Sequence, residues 1–347
     1  MIEVGSRRIG EGAPCFVAAE LGINHNGDLK LAHRAIDAAA DAGADGVKVQ
    51  NYRTEDFISD TSLTYEYTSQ GKTVVEPQLE MFKRCELAPE ALAELRAHCD
   101  ERDVVFFSTP SGEQSLRELV ESGAPLLKNG SDYLLHLELI RSMARTGLPT
   151  VLSTGMANRD EVDLAVEAFR GAGGTELVVL HCTSAYPTPA HEVHLRKLSS
   201  LAARYGCPIG LSDHTDGVVA SIAAAALGAS FIEKHFTLDK TLAGPDHWFS
   251  ADPSELRALV EGVRFAEAAL GTAEVGPSTA DVEGRELHRL SCVAARALPT
   301  GHSLAEDDLV FRRPGHGFPP YAIDTLVGRT LAAAVEPGHV LVEADLA

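Results

Sequence analysis

Eight short apolar runs constrain the fold of this chain more than any other feature. Each is rich in Val, Ile, Leu and Phe, and Ala/Leu/Glu-rich segments of helical period alternate with them. The runs are 15–21, 46–50, 104–109, 126–131, 150–154, 177–183, 209–214 and 231–236. Several follow Gly- and Pro-containing helix-stop sequences, as expected where a helix ends and a buried parallel strand begins. Eight strand–helix units over about 270 residues predict an α/β fold, the TIM (β/α)8 barrel.

Polar residues cluster at the carboxyl ends of these runs. They are Glu20, Lys48, Gln50, Ser108, Thr109, Lys128, Ser131, Ser153, His181, Thr183, Ser212, Asp213, His214, Lys234 and His235. In a parallel barrel all these ends lie on one face, so we expect the polar groups to converge on one mouth, where barrel enzymes carry their chemistry. A doubly wound open sheet is the alternative architecture, but it would spread the strand ends along a line.

Composition excludes several classes of protein. The 347 residues include 30 basic and 50 acidic side chains, a formal charge of −20, which argues against general affinity for nucleic acid or anionic membranes. The N-terminus lacks the apolar stretch of a signal peptide, and no run has the roughly 20 apolar residues of a membrane span. We therefore expect a soluble, cytoplasmic protein. The six cysteines form no Cys-x-x-Cys pair, which indicates neither a disulfide framework nor a zinc knuckle.

The residue pattern of the sequence changes after the eighth run. We expect a barrel domain over 1–270, a linker over 271–285, and a small β-rich domain over 286–347 with many Pro- and Gly-containing turns. A domain of roughly 60 residues is marginal for independent stability. It therefore needs a partner surface, in its own chain or in another.

Two histidines close adjacent strand-like runs, His214 after Gly-Leu-Ser-Asp and His235 after Ile-Glu-Lys. A single histidine at a strand end is usually a hydrogen-bonded structural residue. Two imidazoles at one barrel mouth are typical of a catalytic divalent metal that keeps positions open for water and substrate oxygens. The pair is thus a candidate metal site.

Three lysines lie within apolar strands, Lys48, Lys128 and Lys234. Because lysine is rarely buried unless it is paired, three such lysines together favour a bound phosphate or carboxylate. The alternative is that each pairs with a neighbouring carboxylate such as Glu20 or Glu233. A Schiff-base lysine is a further possibility, although nothing singles out one of the three.

Nine motifs occur in an order that resembles the sialic acid synthase family, which includes the N-acetylneuraminate, legionaminate and pseudaminate synthases. They are Glu20-Leu-Gly-Ile-Asn-His25, Val47-Lys48-Val-Gln50, Phe107-Ser-Thr-Pro110, Leu152-Ser-Thr-Gly-Met156, His181-Cys-Thr-Ser-Ala-Tyr-Pro-Thr-Pro189, Gly210-Leu-Ser-Asp-His-Thr215, Glu233-Lys-His-Phe236, Gly244-Pro-Asp246 and Arg313-Pro-Gly315. The resemblance covers nearly the whole chain. It includes a C-terminal segment similar to the antifreeze-like SAF domain, a β-clip fold.

The resemblance implies condensation of phosphoenolpyruvate with an open-chain sugar aldehyde, giving a nonulosonic (sialic-acid-like) 2-keto acid and phosphate. It implies a divalent metal, Mn²⁺ or Mg²⁺, held by His214 and His235, with Glu20 as a carboxylate at the metal and sugar. The implied phosphoenolpyruvate-binding residues are Lys48, Thr109, Lys128, Ser131 and Ser212. Gln50 shares a motif with Lys48 and is a further candidate for substrate binding, while Tyr186 and Asp246 match sugar-side positions. The family forms domain-swapped homodimers, so Arg313 would enter the other subunit's site.

The chain departs from the neuraminate branch around the substrates. Tyr133 stands where that branch has a functional Glu, Ser184 stands where it has Asn, and the segment 61–78 does not match it. Both residues are candidate substrate contacts. The acceptor is therefore either N-acetylmannosamine-like or a different sugar with the same chemistry. Two other classes stay open: a metal-dependent aldolase that does not consume phosphoenolpyruvate, and a non-catalytic sugar-phosphate sensor.

Overall fold

The computed structural model describes residues 1–347 and contains fourteen strands and twelve α-helices. The strands are β1 (Ile2–Val4), β2 (Arg7–Ile9), β3 (Phe16–Gly22), β4 (Gly46–Asn51), β5 (Thr64–Ser69), β6 (Lys72–Pro77), β7 (Val105–Pro110), β8 (Leu126–Asn129), β9 (Thr150–Ser153), β10 (Leu177–Cys182), β11 (Ile209–Asp213), β12 (Phe231–His235), β13 (Ser291–Ala294) and β14 (Leu309–Arg312). The helices are α1 (Leu29–Asp41), α2 (Thr54–Phe57), α3 (Gln78–Arg84), α4 (Pro89–Glu101), α5 (Glu113–Glu121), α6 (Leu137–Arg145), α7 (Arg159–Gly171), α8 (Lys197–Tyr205), α9 (Val219–Ala226), α10 (Pro253–Leu270), α11 (Val282–His288) and α12 (Ile323–Leu326).

Eight parallel strands close into a barrel in the order β10-β11-β12-β3-β4-β7-β8-β9. They coincide with the eight apolar runs, so the predicted TIM barrel is confirmed and the open-sheet alternative is wrong. Closure comes from the pairing of β10 with β9, for example Val179 with Leu152. Closure brings all eight carboxyl ends to one mouth.

Alternation along the strands separates two layers of buried side chains. On β3, Phe16 and Ala18 pack inside the barrel with residues such as Phe107 and Phe231, whereas Val17 and Ala19 pack outside against the helices. The rings of Phe16 and Phe231 stack with centroids 4.9 Å apart. Because both faces are buried, apolar residues occur on both faces of these strands, as in most parallel strands. Because successive side chains of a strand point to opposite faces, only every second residue points into the barrel and can reach its mouth.

The segment 61–78, for which no strand was predicted, contains a β-hairpin. Strands β5 and β6 pair antiparallel, with Ser69 opposite Lys72. Gln70 and Gly71 both have positive φ, 52° and 73°, as a two-residue type I′ turn requires. Tyr, Thr and Val in these strands have high β propensity, which explains the hairpin.

The chain divides into two compact units, Met1–Gly271 and Thr272–Ala347. In the second unit β13 pairs with β14, and short β-bridges join Leu298 to Val335 and Leu331 to Leu346. These residues form its small apolar core. Helix α11 lies partly within 271–285, the segment predicted to be a linker. None of the helices has both the length and the apolar character needed to cross a membrane.

Candidate active site

A cavity of about 570 Å³ opens at the carboxyl ends of the barrel strands. All the candidate site residues of the first unit line it: Glu20, Lys48, Gln50, Thr109, Lys128, Ser131, Tyr133, Ser184, Tyr186, Ser212, His214, His235 and Asp246. Arg313 belongs to the second unit and directly follows β14. These thirteen candidate residues thus line one cavity, as expected for a closed barrel.

Four of the polar residues that we expected at the mouth face outward. Lys234 pairs with Asp213 at 3.4 Å and donates to the carbonyl of Thr215, while His181 contacts the carbonyl of Val193 and Ser108 donates to that of Val49. Each has the parity opposite to an inward residue, since Lys234 precedes His235 and Asp213 precedes His214. The inference that three lysines face the mouth is therefore wrong. Only Lys48 and Lys128 line the cavity.

Two lysines and two glutamates form a buried ionic cluster at the inner end of the cavity. The Nζ atom of Lys48 lies 2.7 Å from Glu20 Oε1 and 3.9 Å from Glu233 Oε2, and that of Lys128 lies 3.5 Å from Glu233 Oε1. Lys48 also donates to Thr109 Oγ1 at 3.1 Å, and Ser212 donates to Glu233 at 3.0 Å. Both lysines of the cavity thus pair with neighbouring carboxylates, which was the alternative considered from the sequence. The four charged groups meet in one part of the cavity.

The two glutamates have different affinities for a proton. Burial raises the pKa of Glu20 to about 7 against the opposing effect of Lys48. Burial also acts on Glu233, but Lys128 and Lys48 hold its pKa below the ordinary value. Burial lowers the pKa of Lys128 as well. A pair of carboxyls whose pKa values are moved apart is suited to divided acid and base roles.

The two histidines lie side by side, with ring centroids 5.4 Å apart. His214 Nδ1 contacts the carbonyl oxygen of Thr183 at 2.8 Å and must carry the hydrogen there. Its candidate ligand atom is therefore Nε2, which lies 3.4 Å from Ser212 Oγ. His235 Nδ1 is buried and has no hydrogen-bond partner. Burial lowers the pKa of His235 well below its ordinary value, so its ring is neutral. Both imidazoles can therefore offer a nitrogen to a metal.

Carboxylates lie next to this pair. Asp246 Oδ2 is 3.9 Å from His235 Nδ1, and burial raises the pKa of Asp246 to about 6. At Gly22, where φ is +52°, a Cβ atom would lie 3.2 Å from Glu20 Oε1 and 3.8 Å from Asp246 Oδ2. No three His, Cys, Asp or Glu side chains converge closely enough to hold a metal ion by themselves. The donors fit a two-nitrogen site in which water and substrate oxygens complete the coordination.

A hydrogen-bonded clamp holds the loop that carries Asp246. The buried Asn24 side chain donates to the carbonyl of Phe236 and to Ser250 Oγ, both at 2.9 Å. Ser250 in turn donates to the backbone carbonyl of Asp246 at 2.6 Å. From the sequence, Asn24 is only one member of the first motif, and Ser250 belongs to none. Their role depends on a contact 226 residues apart, which no local pattern reveals.

Short hydroxyl motifs meet at another edge of the cavity. Ser131 Oγ accepts a hydrogen bond from the backbone N–H of Gly155 at 3.0 Å. A Cβ on residue 155 would lie only 2.7 Å from that oxygen and would also clash with Ser184 Oγ, so only glycine fits. The close approach aligns Ser131 and Ser184 along the cavity.

Aromatic side chains cover the outer part of the site. Tyr186 is 42% exposed and its ring centroid lies 4.2 Å from that of His214. Opposite the strand residues, the cavity is lined by apolar side chains from 52–82 and from the β3–α1 loop: Ile23, Tyr52, Phe57, Tyr65, Met81 and Phe82. We call these six residues the aromatic wall. It was not predicted, because the segment that carries most of it does not follow the barrel repeat.

The sequence matches a known protein family over most of its length. Residues 35–275 match the NeuB family, and residues 291–347 match the SAF domain. The chain is 37% identical to the N,N'-diacetyllegionaminic acid synthase of Legionella pneumophila, over 97% of this chain and 96% of that protein. It is 34% identical to the N-acetylneuraminate-9-phosphate synthase of Homo sapiens, over 97% and 94%.

The barrel also resembles a solved structure. The crystal structure of the N-acetylneuraminic acid (sialic acid) synthetase of Leptospira borgpetersenii superposes with a TM-score of 0.74 at 34% identity, covering 82% of this chain and 94% of that one. The family match, the relatives and the shared barrel agree with the resemblance inferred from the motifs. The chain therefore belongs to the NeuB family and carries a C-terminal SAF domain.

Proposed function

We propose that the protein condenses phosphoenolpyruvate with an open-chain sugar aldehyde, giving a nonulosonic (sialic-acid-like) 2-keto acid and phosphate. The observation that carries this proposal is the inner ionic cluster of Lys48, Lys128, Glu20 and Glu233 in the same cavity as two adjacent imidazoles. Membership in the NeuB family, with synthases among its relatives, supports the same reaction class.

The inner cluster is suited to bind phosphoenolpyruvate. Lys48 and Lys128 supply two buried cations for its phosphate and carboxylate, and Thr109, Ser131 and Ser212 supply hydroxyl donors. Because the cations are already held by carboxylates, they are oriented before substrate binds. Gln50, Tyr133, Ser184 and Tyr186 are assigned to substrate contacts on the same basis of position.

Glu20 is assigned to proton handling. With a pKa of about 7 its carboxyl can hold a proton at Oε2, which is buried and otherwise unpartnered. Attack of phosphoenolpyruvate C3 on the aldehyde carbon leaves negative charge on the aldehyde oxygen, and Glu20 gives its proton to that oxygen. Water then adds at C2 and returns a proton to Glu20. The bond between C2 and the phosphate ester oxygen breaks as the new C2 hydroxyl becomes the keto oxygen, and the proton of that hydroxyl leaves with phosphate.

His214 and His235 are the residues that would hold a divalent metal, Mn²⁺ or Mg²⁺. Such an ion supplies Lewis acidity for a carbonyl oxygen and orients water. Asp246 lies beside His235 and is assigned to the sugar side of the site. Tyr186 packs against His214, with ring centroids 4.2 Å apart, and is assigned to covering this part of the cavity.

We also propose a division of the chain into domains and an arrangement of two chains in a dimer. We assign 1–270 to the catalytic barrel, 271–285 to a linker and 286–347 to the SAF domain, in a cytoplasmic homodimer. In that dimer the SAF domain of one subunit reaches the other subunit's barrel and contributes Arg313 to its substrate site. Crosslinking between a cysteine introduced at 313 and one at the barrel mouth would test the swap, since only a dimer with exchanged domains gives an intermolecular product.

The reaction is tested by phosphate release. Purified protein is incubated with phosphoenolpyruvate, Mn²⁺ and a panel of hexosamine aldehydes, and the product mass is measured. We expect stoichiometric phosphate and 2-keto acid. Carbon–carbon bond formation without phosphate release would instead favour the aldolase alternative, and no turnover with any aldehyde would favour the sensor.

A further inference from the structure

The segment that carries Arg313 is held in place by buried contacts within the second unit. It comprises residues 313–317, directly follows β14, and is called the arginine loop below. We infer that Ser291, the first residue of β13, is a positioning residue that fixes the arginine loop and thereby orients Arg313 for substrate binding. This inference rests on the proposed function, in which Arg313 contributes to a substrate site.

The Ser291 hydroxyl bridges the two ends of the arginine loop. Its Oγ atom donates to the backbone carbonyl of Pro314 at 2.7 Å and accepts a hydrogen bond from the backbone N–H of Gly317 at 2.9 Å. Ser291 is fully buried, and a hydrogen bond is stronger there than in water. It also lies opposite Arg312 in the pairing of β13 with β14. One side chain thus closes the arginine loop and connects it to the sheet of its unit.

Helix α11 gives the arginine loop a second attachment. The backbone N–H of Gly315 donates to the carbonyl of Glu286 at 2.7 Å. A Cβ atom at residue 315 would lie 2.6 Å from the carbonyl oxygen of Arg285 and 2.6 Å from Arg289 Cβ, so only glycine allows this close approach. The arginine loop is therefore fixed at its middle by α11 and at its ends by Ser291.

The arginine loop presents a cation that is not used within its own unit. Arg313 is exposed and takes part in none of the four ion pairs of the second unit. A guanidinium that is free in this way can donate hydrogen bonds to substrate oxygens. Because the backbone around it is already fixed, less conformational freedom is lost when it binds. The two attachments thus increase the affinity that Arg313 can provide.

A double-mutant cycle separates this positioning role from a purely structural one. KM and kcat are measured for phosphoenolpyruvate and for the best aldehyde of the panel in Arg313→Ala, Ser291→Ala and the double variant. We expect Arg313→Ala to raise the KM of one substrate about tenfold to a hundredfold, as for a lost hydrogen bond to a charged group. Ser291→Ala should raise the KM of that same substrate about two- to tenfold, and it should have no further effect once Arg313 is absent.

Two further variants complete the experiment. Ser303→Ala is the matched control, because its hydroxyl belongs to the same unit but donates to the carbonyl of Gly328, outside the arginine loop. We expect its KM values to equal those of the natural protein. Gly315→Ala disturbs the arginine loop at α11 and should give the same selective rise in KM, so it tests the inference if Ser291→Ala does not fold.

The possible failures of the inference and of the proposed function differ. Equal effects of Ser291→Ala with and without Arg313, or a rise in the KM of the other substrate, would overturn the inference alone. Unchanged kinetics of Arg313→Ala would contradict the proposed role of Arg313 and the inference with it. Absence of phosphate release in the natural protein would contradict the proposed reaction, and the inference would lose its basis.

Discussion

Lys128 and Lys234 are both buried on barrel strands, but they lie on opposite faces and should respond differently to replacement by methionine. Lys128 lines the cavity, whereas Lys234 lies outside the barrel against Asp213. Their side chains are 3% and 2% exposed, so the two substitutions are matched in burial and in chemistry. Lys128→Met should mainly affect phosphoenolpyruvate binding, and Lys234→Met should mainly affect stability.

The expected magnitudes follow from the partners that each lysine leaves behind. Without Lys128, Glu233 keeps Lys48 at 3.9 Å and the Ser212 hydroxyl at 3.0 Å, so the loss of stability is small. Without Lys234, the fully buried Asp213 keeps hydrogen bonds from the Thr215 N–H at 2.8 Å and the Ser221 hydroxyl at 2.6 Å, but no cation is left beside its charge. A buried pair broken in this way costs about 3–5 kcal/mol. For a unit of this size, that corresponds to a fall in Tm of roughly 6–12 °C. Removing a cation that contacts a bound phosphate costs about 2–5 kcal/mol of binding, or at least roughly thirtyfold in KM.

Thermal unfolding and initial rates of phosphate release measure these two effects separately. Lys128→Met should raise the KM for phosphoenolpyruvate at a nearly unchanged Tm. Lys234→Met should lower Tm while its folded fraction, assayed well below Tm, keeps a KM close to that of the natural protein. An equal rise in KM in the two variants would refute the assignment of the two lysines to different faces.

Three further outcomes are expected. Since the pKa of Glu20 is raised to about 7, its carboxyl holds a proton below that pH and loses it above. We therefore expect kcat/KM to fall as pH rises through about 7. Glu20→Gln should abolish this pH dependence along with most activity. His214→Ala should abolish metal-dependent phosphate release and weaken Mn²⁺ binding measured by calorimetry, and unchanged binding would exclude His214 as a ligand. Ser250→Ala should raise the KM for the acceptor about two- to tenfold, which is the effect of one lost hydrogen bond. The KM for phosphoenolpyruvate should not change, because Ser250 contacts the loop of Asp246.

The fold could be predicted from the sequence because each barrel strand has apolar residues on both of its faces and helical segments separate each strand from the next. The exceptions lie between β4 and α4, where Tyr, Thr and Val alternate around Gln70 and Gly71. That pattern predicts a hairpin by its period of two and its turn residues, but it has no place in the strand–helix repeat.

The sequence predicts that the candidate residues lie near one mouth, but it does not predict which residues of each strand point into the barrel. Strands buried on both faces give no apolar–polar alternation, so the sequence does not indicate which parity faces inward. The histidines supply the missing reference. If His235 lines the mouth, Glu233 must share its face and Lys234 must lie on the other, as the structure shows. Contacts such as Asn24 to Ser250 join distant segments and need the closed barrel to become visible.

The inner cluster also explains why a protein would retain four buried charges that contribute little to its stability. Replacing a buried ion pair by apolar residues is often neutral or stabilising, so Lys48, Lys128, Glu20 and Glu233 are weak candidates for a structural role alone. Their charges sum to zero when both glutamates are ionised and to +1 when Glu20 holds a proton. The site is therefore more positive in the state that can donate a proton, and binding of an anionic substrate favours that state because it stabilises the extra charge. Substrate binding and protonation of Glu20 are thereby linked, which places the proton at the site when the condensation begins.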